Sequence, residues 1–130
     1  MHGDGVLDAK LEDAAHRVIG AAIEVHRNLG PGFLESVYEE ALAVELELQG
    51  IGFARQVVFA VDYKGRSVGE GRLDLLIVGE LIVELKAVES FAPIHMAQVL
   101  SYLKANKKRL GLLINFNVPV LKEGIKRVVL

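Results

Sequence analysis

The 130-residue sequence contains no cysteine, which removes disulfides, thiolate nucleophiles and cysteine-based zinc sites from consideration. No apolar run approaches the roughly 20 residues that cross a bilayer, and no charged-then-apolar signal pattern opens the chain. No membrane association is expected, and the expected compartment is the cytoplasm. Surplus positive charge is also lacking, since fifteen Lys and Arg stand against seventeen Asp and Glu for a net charge of −2. A dedicated nucleic-acid binder is basic, so any such binding here must rest on a local patch. No internal repeat, low-complexity tract or long linker divides the chain. A single domain over residues 1–130 is therefore expected, with 1–7 as a flexible tail. What is present suits a globular core: 52% of residues are hydrophobic and 25% are charged.

Hydrophobic spacing sets out the elements. Leu11, Ala15, Val18, Ala22, Val25 and Leu29 recur at steps of four and three, which predicts a helix over about 8–28 with Asp8 as its cap. His26 and Glu24 near its end read as surface or edge residues. Gly30-Pro31-Gly32 turns the chain. A second helix over about 34–49 is predicted to bury Leu34, Val37, Tyr38, Ala41, Leu42, Val44 and Leu48. From Ile51 the period changes to two, and Phe53, Val57, Phe59, Val61 and Tyr63 fit a strand. Lys64-Gly65 suits a hairpin turn. Gly69 and Gly71 suggest a bulge or a close backbone approach on the return strand. They do not form a phosphate loop, because no helix follows them. A third helix begins near Pro93 and ends near Asn106. His95, Gln98 and Tyr102 make a polar stripe on it beside the apolar one. Residues 110–117 read as a buried strand, and 125–130 as a short edge strand. The order α-α-β-β-β-α-β-(β) predicts an α/β fold with a mixed sheet of four to five strands flanked by helices.

The oddity lies between Arg72 and Lys86, where two apolar strands carry Asp74, Glu84 and Lys86. A buried charge costs several kcal/mol unless it is paired or holds a metal. Glu84 and Lys86, two residues apart, share a face of their strand. A three-residue loop Val78-Gly79-Glu80 would set Asp74 directly beside Glu84, and a five-residue loop or a bulge would give the same parity, whereas a two-residue loop at Gly79-Glu80 would separate them. The glycine favours the odd register, which is the one predicted. With the odd register, Leu73, Leu75, Ile77, Leu81, Val83 and Leu85 form one apolar face. Paired carboxylates repel, and a hard divalent cation such as Mg²⁺ relieves the repulsion. A strand-end salt bridge of Lys86 with Glu84 or Asp74 accounts for the same residues. Glu35, in the first turn of the second helix, suits the positive end of a helix dipole.

Asp74 followed by Glu84-Leu85-Lys86 resembles the signature of the PD-(D/E)XK nuclease superfamily, whose fold is restriction-endonuclease-like. Gly32-Phe33-Leu34-Glu35-Ser36-Val37-Tyr38 matches the name-giving motif of the GxxExxY protein family within it. Further segments are similar to that family from about Asp8 to Val128, among them His95 through Tyr102 and Gly111-Leu112-Leu113-Ile114-Asn115-Phe116. The resemblance implies Asp74, Glu84 and Glu35 as ligands of Mg²⁺ or Mn²⁺ and Lys86 as the catalytic lysine. It implies Gln98 and Tyr102 as supporting residues, with Tyr38 and His95 as orienting neighbours. Leu73 stands where the superfamily's name has proline. The implied activity is phosphodiester hydrolysis of nucleic acid, expected to be DNA. The alternative is a non-catalytic nucleic-acid-binding or protein-interaction module on the same fold. The expected phosphate-facing residues are Lys104, Lys107, Lys108 and Arg109, with Arg72; a solvated helix end explains the basic run equally well. Sequence-specific cleavage would need a homodimer or another protein partner.

Overall fold

The computed structural model describes residues 8–130; the expectation of a tail over 1–7 lies outside them. Asp8 caps the first helix as the spacing predicts, its side chain accepting the Leu11 N–H at 2.8 Å. That satisfies one of the donors a helix start leaves open. Helix α1 (Ala9–Leu29) buries Leu11, Ala15, Val18, Ala22 and Val25. His26, expected at the surface, is buried and donates from Nε2 to the Val118 carbonyl at 2.8 Å. It ties the end of α1 to a loop 92 positions away in the chain.

Helix α2 (Glu35–Leu48) corrects the predicted stripe. Tyr38, Leu42, Ala43 and Leu46 are buried, whereas Leu34 and Leu48 are three-quarters exposed and Val37 and Val44 also face outward. Two apolar stripes interleave on this helix, both at helical spacing, so periodicity could not choose between them. Packing chooses Tyr38, whose ring stacks on Phe116 at 4.5 Å between centroids.

Strands β1 (Phe53–Tyr63), β2 (Arg66–Ile77), β3 (Leu81–Lys86), β4 (Leu110–Asn115) and β5 (Ile125–Val129) form one sheet in the order β1-β2-β3-β4-β5. All neighbours are antiparallel except β3 and β4. Those two are parallel because helix α3 (Pro93–Asn106) carries the chain back between them. Every residue of β4 is buried, as suits a strand covered on both faces. On one face α1 and α2 pack against Leu75, Ile77, Leu81, Val83, Leu112 and Ile114. On the other, Val99 and Leu103 of α3 meet Ile82 and Leu113. Gly111 has no room for a side chain, because Val99 of α3 lies against it. A 3₁₀ turn, Leu121–Gly124, leads into the edge strand β5.

Leu73 departs from the predicted face. Alternate residues of a strand share a side, yet Leu73 packs with Val57 and Phe59 against α3. Phe53, Leu75 and Ile77 pack against α1 and α2 instead. The pleat inverts at one level in both strands. The β1–β2 ladder skips Gln56 and Asp74, between the pairs Arg55↔Leu75 and Val57↔Leu73, and Gln56 has a φ of 51°. Beyond this level β1 and β2 continue as an arm, past the Lys86 end of β3. The arm turns at Lys64-Gly65 and carries a bulge between Val61 and Asp62. The Phe59 ring fills the space above Gly71, so both a bulge and a close approach occur.

Candidate active site

The site begins with the turn between β2 and β3. Val78 and Gly79 both have positive φ, 46° and 73°, and the Glu80 N–H closes on the Ile77 carbonyl at 2.9 Å. Glycine tolerates that backbone without penalty. The loop holds three residues, and the ladder runs Ile77↔Leu81, Leu76↔Ile82, Leu75↔Val83. The next pair in this register is Asp74 with Glu84. There the backbone ladder stops and carboxylates take over. The Asp74 N–H donates to Glu84 Oε2 at 2.7 Å, and the Leu85 N–H donates to Asp74 Oδ2 at 2.8 Å. Each acid thus binds the opposite strand's backbone, wedging the strands apart where Lys86 ends β3.

Electrostatics follow from this crowding. Glu84 is only 4% exposed. Burial, then the Asp74 charge, pushes its carboxyl up to about 8, against the Asp74 N–H and Lys86. Asp74 is also raised, first by burial and further by Glu39; the Leu85 N–H and Lys86 oppose the rise. The four ion pairs among the described residues are Arg27–Glu24, Arg55–Glu39, Arg55–Glu40 and Arg127–Glu12. Lys86 belongs to none of them, so the strand-end salt bridge is not formed. A buried acid, Glu84, and a half-buried one, Asp74, stand together without a full counter-charge.

Glu35 joins them from α2. Partial burial of its carboxyl and then the Asp74 charge raise its pKa, with Lys86 opposing. The turn before α2 explains how it is aimed. Gly32 has a φ of 110°, which side chains rarely adopt. The Tyr38 hydroxyl donates to the Gly30 carbonyl at 2.6 Å and accepts the Phe33 N–H at 3.1 Å. Tyr38 is fully buried and its hydroxyl is occupied by this turn. It fixes the loop that presents Glu35 and does not itself enter the site.

From α3, Tyr102 stands near the acids: burial and then the charges of Glu84 and Asp74 raise its hydroxyl, while a hydrogen bond with Gln98 opposes this. Its ring meets Phe59 edge-on at 5.0 Å. His95 is used elsewhere, with Nδ1 accepting the Ala92 N–H at 3.0 Å to cap α3. Arg72, two residues from Asp74, lines a surface cavity with Tyr102, Val58 and Glu70. The basic run is not brought to this end. Leu110, just after it, pairs with Leu81, while Lys86 pairs with Asn115. Five residues of strand put the run about 17 Å away.

Three residues unremarked as site candidates in the sequence complete the cluster. Glu39, one turn after Glu35, takes hydrogen bonds from Arg55 at 3.1 Å and from Gln56 Nε2 at 2.8 Å. Gln56 lies opposite Asp74 in the gap of the β1–β2 ladder and is the least of the influences that lower the Asp74 pKa. The polar pair Arg55-Gln56 in an apolar strand was the available signal.

The donor set suits a hard divalent ion: carboxylate oxygens, raised in pKa by burial and mutual repulsion, are what such a cation favours. Among the described residues no group of three or more acids or histidines already stands at metal-binding distance. Asp74 and Glu84 would be the paired donors, with Glu35 on α2 close enough for the Asp74 charge to raise its pKa. No helix among the described residues is long and apolar enough to cross a membrane. Residues 12–128 match the family model described as PD-(D/E)XK nuclease superfamily. No curated protein matches the chain.

Proposed function

Because the chain belongs to the PD-(D/E)XK nuclease superfamily and has a helix-flanked mixed sheet of the restriction-endonuclease-like kind, we propose that it is a divalent-metal-dependent nuclease hydrolysing the phosphodiester bonds of DNA. One observation carries this reading: Asp74 and Glu84 lie side by side, crowded, with Lys86 next along the strand and bound to neither. Asp74, Glu84 and Glu35 would hold Mg²⁺ or Mn²⁺. A bound ion of that kind supplies phosphoryl polarisation and a lowered pKa for water. Lys86 supplies a positive charge, held in none of the ion pairs among the described residues, to neutralise the phosphate or orient the attacking water. Arg72 adds positive charge at the same end, and Tyr102 and Gln98 wall the site from α3. The spacing of Gly32, Glu35 and Tyr38 in the sequence supports assignment to the GxxExxY branch.

The test is nicking of supercoiled plasmid with Mg²⁺ or Mn²⁺, beside Lys86→Ala and Glu84→Ala. Cleavage that survives both substitutions overturns the reading. A second reading, a module that keeps the fold without turnover, is favoured by one feature: both carboxylates are engaged by backbone amides. Calorimetry separates the two, since that module would take up no metal at Asp74 and Glu84.

A further inference from the structure

Gln56 has a backbone that strands do not use. Its φ of 51° lies in the left-handed region, where a non-glycine side chain is strained. Among the described residues, the other non-glycine residues with positive φ, Lys64, Val78 and Lys107, sit at two hairpin turns and a helix end. Gln56 lies inside β1, with paired residues on both sides. Strain of this kind persists only where surrounding contacts hold it.

Those contacts run to the site. Gln56 Nε2 donates to Glu39 Oε1 at 2.8 Å, and the other Glu39 oxygen accepts from Arg55 Nε and Nη2 at 3.2 and 3.1 Å. Asp74 lies opposite Gln56 in the gap of the ladder, and Gln56 adds a small downward influence on its pKa. An amide offers two N–H donors and no charge. It can therefore bind one carboxylate beside another without neutralising either, which a lysine or arginine could not do. Asp74 is held on its other side by the Leu85 N–H at 2.8 Å. Glu39 lies one helical turn from Glu35, on the same side of α2.

We propose that Gln56 is a positioning residue for Asp74: its strained backbone and its amide, anchored on Glu39, set the strand opposite Asp74 and key that carboxylate to the turn of α2 that carries Glu35. The consequence for metal binding rests on the nuclease reading; the placement of Asp74 does not. Gln56→Gly is the informative variant, because it keeps a left-handed backbone without strain and deletes the side chain with its amide. Gln56→Asn keeps an amide one methylene shorter in a residue that tolerates this backbone.

Two measurements are made on each protein: hydrogen exchange of the Leu85 amide without metal, and Mn²⁺ affinity by calorimetry. Gln56→Gly is expected to keep wild-type or greater resistance to denaturant while exchanging the Leu85 amide about tenfold faster. Its Mn²⁺ affinity falls about tenfold, the usual effect of losing a partner behind a ligand. Gln56→Asn recovers part of both losses and serves alone if Gln56→Gly does not fold, with a severalfold loss then expected. Unchanged Leu85 exchange overturns the positioning role. Faster exchange with unchanged Mn²⁺ affinity overturns its link to the metal. If the wild type takes up no Mn²⁺, the nuclease reading falls, and Leu85 exchange still decides what Gln56 does.

Discussion

At the Lys86 end of β3, charged side chains sit where strands should be apolar; at the other end, Lys104, Lys107, Lys108 and Arg109 crowd the passage from α3 to β4. In sequence the two clusters look alike, charges beside apolar runs. In the fold they differ in kind. Glu84 is nearly sealed from solvent and shares its space with Asp74. The basic residues serve local ends: Lys107 closes α3 in a left-handed conformation, Lys104 lies in the last turn, where a cation suits the helix dipole, and Arg109 Nε donates to the Leu130 carbonyl at 3.1 Å. Charge that costs free energy marks the candidate chemistry, whereas charge that water and helix ends can satisfy does not.

Activity should separate the two ends most. Under the proposed reading, Lys86→Ala or Glu84→Ala lowers plasmid nicking about a hundred- to a thousandfold. Lys108→Ala leaves it within about threefold in the same assay. A large loss from Lys108→Ala would place substrate across both ends and break the contrast.

The next effect is on stability against pH, measured by denaturant unfolding of metal-free protein. Glu84 titrates near 4.5 in an ordinary setting and at about 8 in the fold. Its protonated form is therefore the one the fold favours. The stability this confers is fully present below pH 4.5 and is lost as pH rises through about 8. Glu84→Gln should abolish that loss, gaining on the order of a few kcal/mol at pH 9 and nothing at pH 4. Asp74 and Glu35 are shifted in the same direction, so some decline remains in the variant. A pH-independent gain would mean that Glu84 is not the group under strain.

Tyr38→Phe sharpens the division within the site itself. Losing the hydroxyl that holds Gly30 and Phe33 should cost about 1–2 kcal/mol in thermal or denaturant melts. Any fall in activity should accompany that loosening. Lost activity at full stability would return Tyr38 to the site. The smallest effect belongs to the basic end: Lys107→Gly relieves a left-handed residue at a helix end and should stabilise by up to about 1 kcal/mol, with nicking unchanged.

Much of the fold was legible because burial imposes period. The face of α1, the all-apolar β4 and the three-residue loop after Ile77 each follow from spacing or loop parity. The α2 stripe was not legible, since Leu34, Val37, Val44 and Leu48 repeat as helically as Tyr38, Leu42 and Leu46. Leu73 was misplaced because parity assumes an unbroken pleat, and the pleat breaks where Gln56 takes a left-handed backbone opposite Asp74. The Glu39–Gln56 bridge spans 17 positions of chain, a distance at which local pattern carries no information.

By itself, then, the sequence determined the elements, their order and the register that sets Asp74 opposite Glu84, because all of these are consequences of local spacing. Only the tertiary structure decided that Glu84 is sealed from water, that Tyr38 serves the turn before Glu35, that the basic run lies at the far end, and that Gln56 joins the acids. Each depends on which distant surfaces meet, and burial, the quantity that turns an ordinary carboxylate into a strained one, is set by those meetings alone.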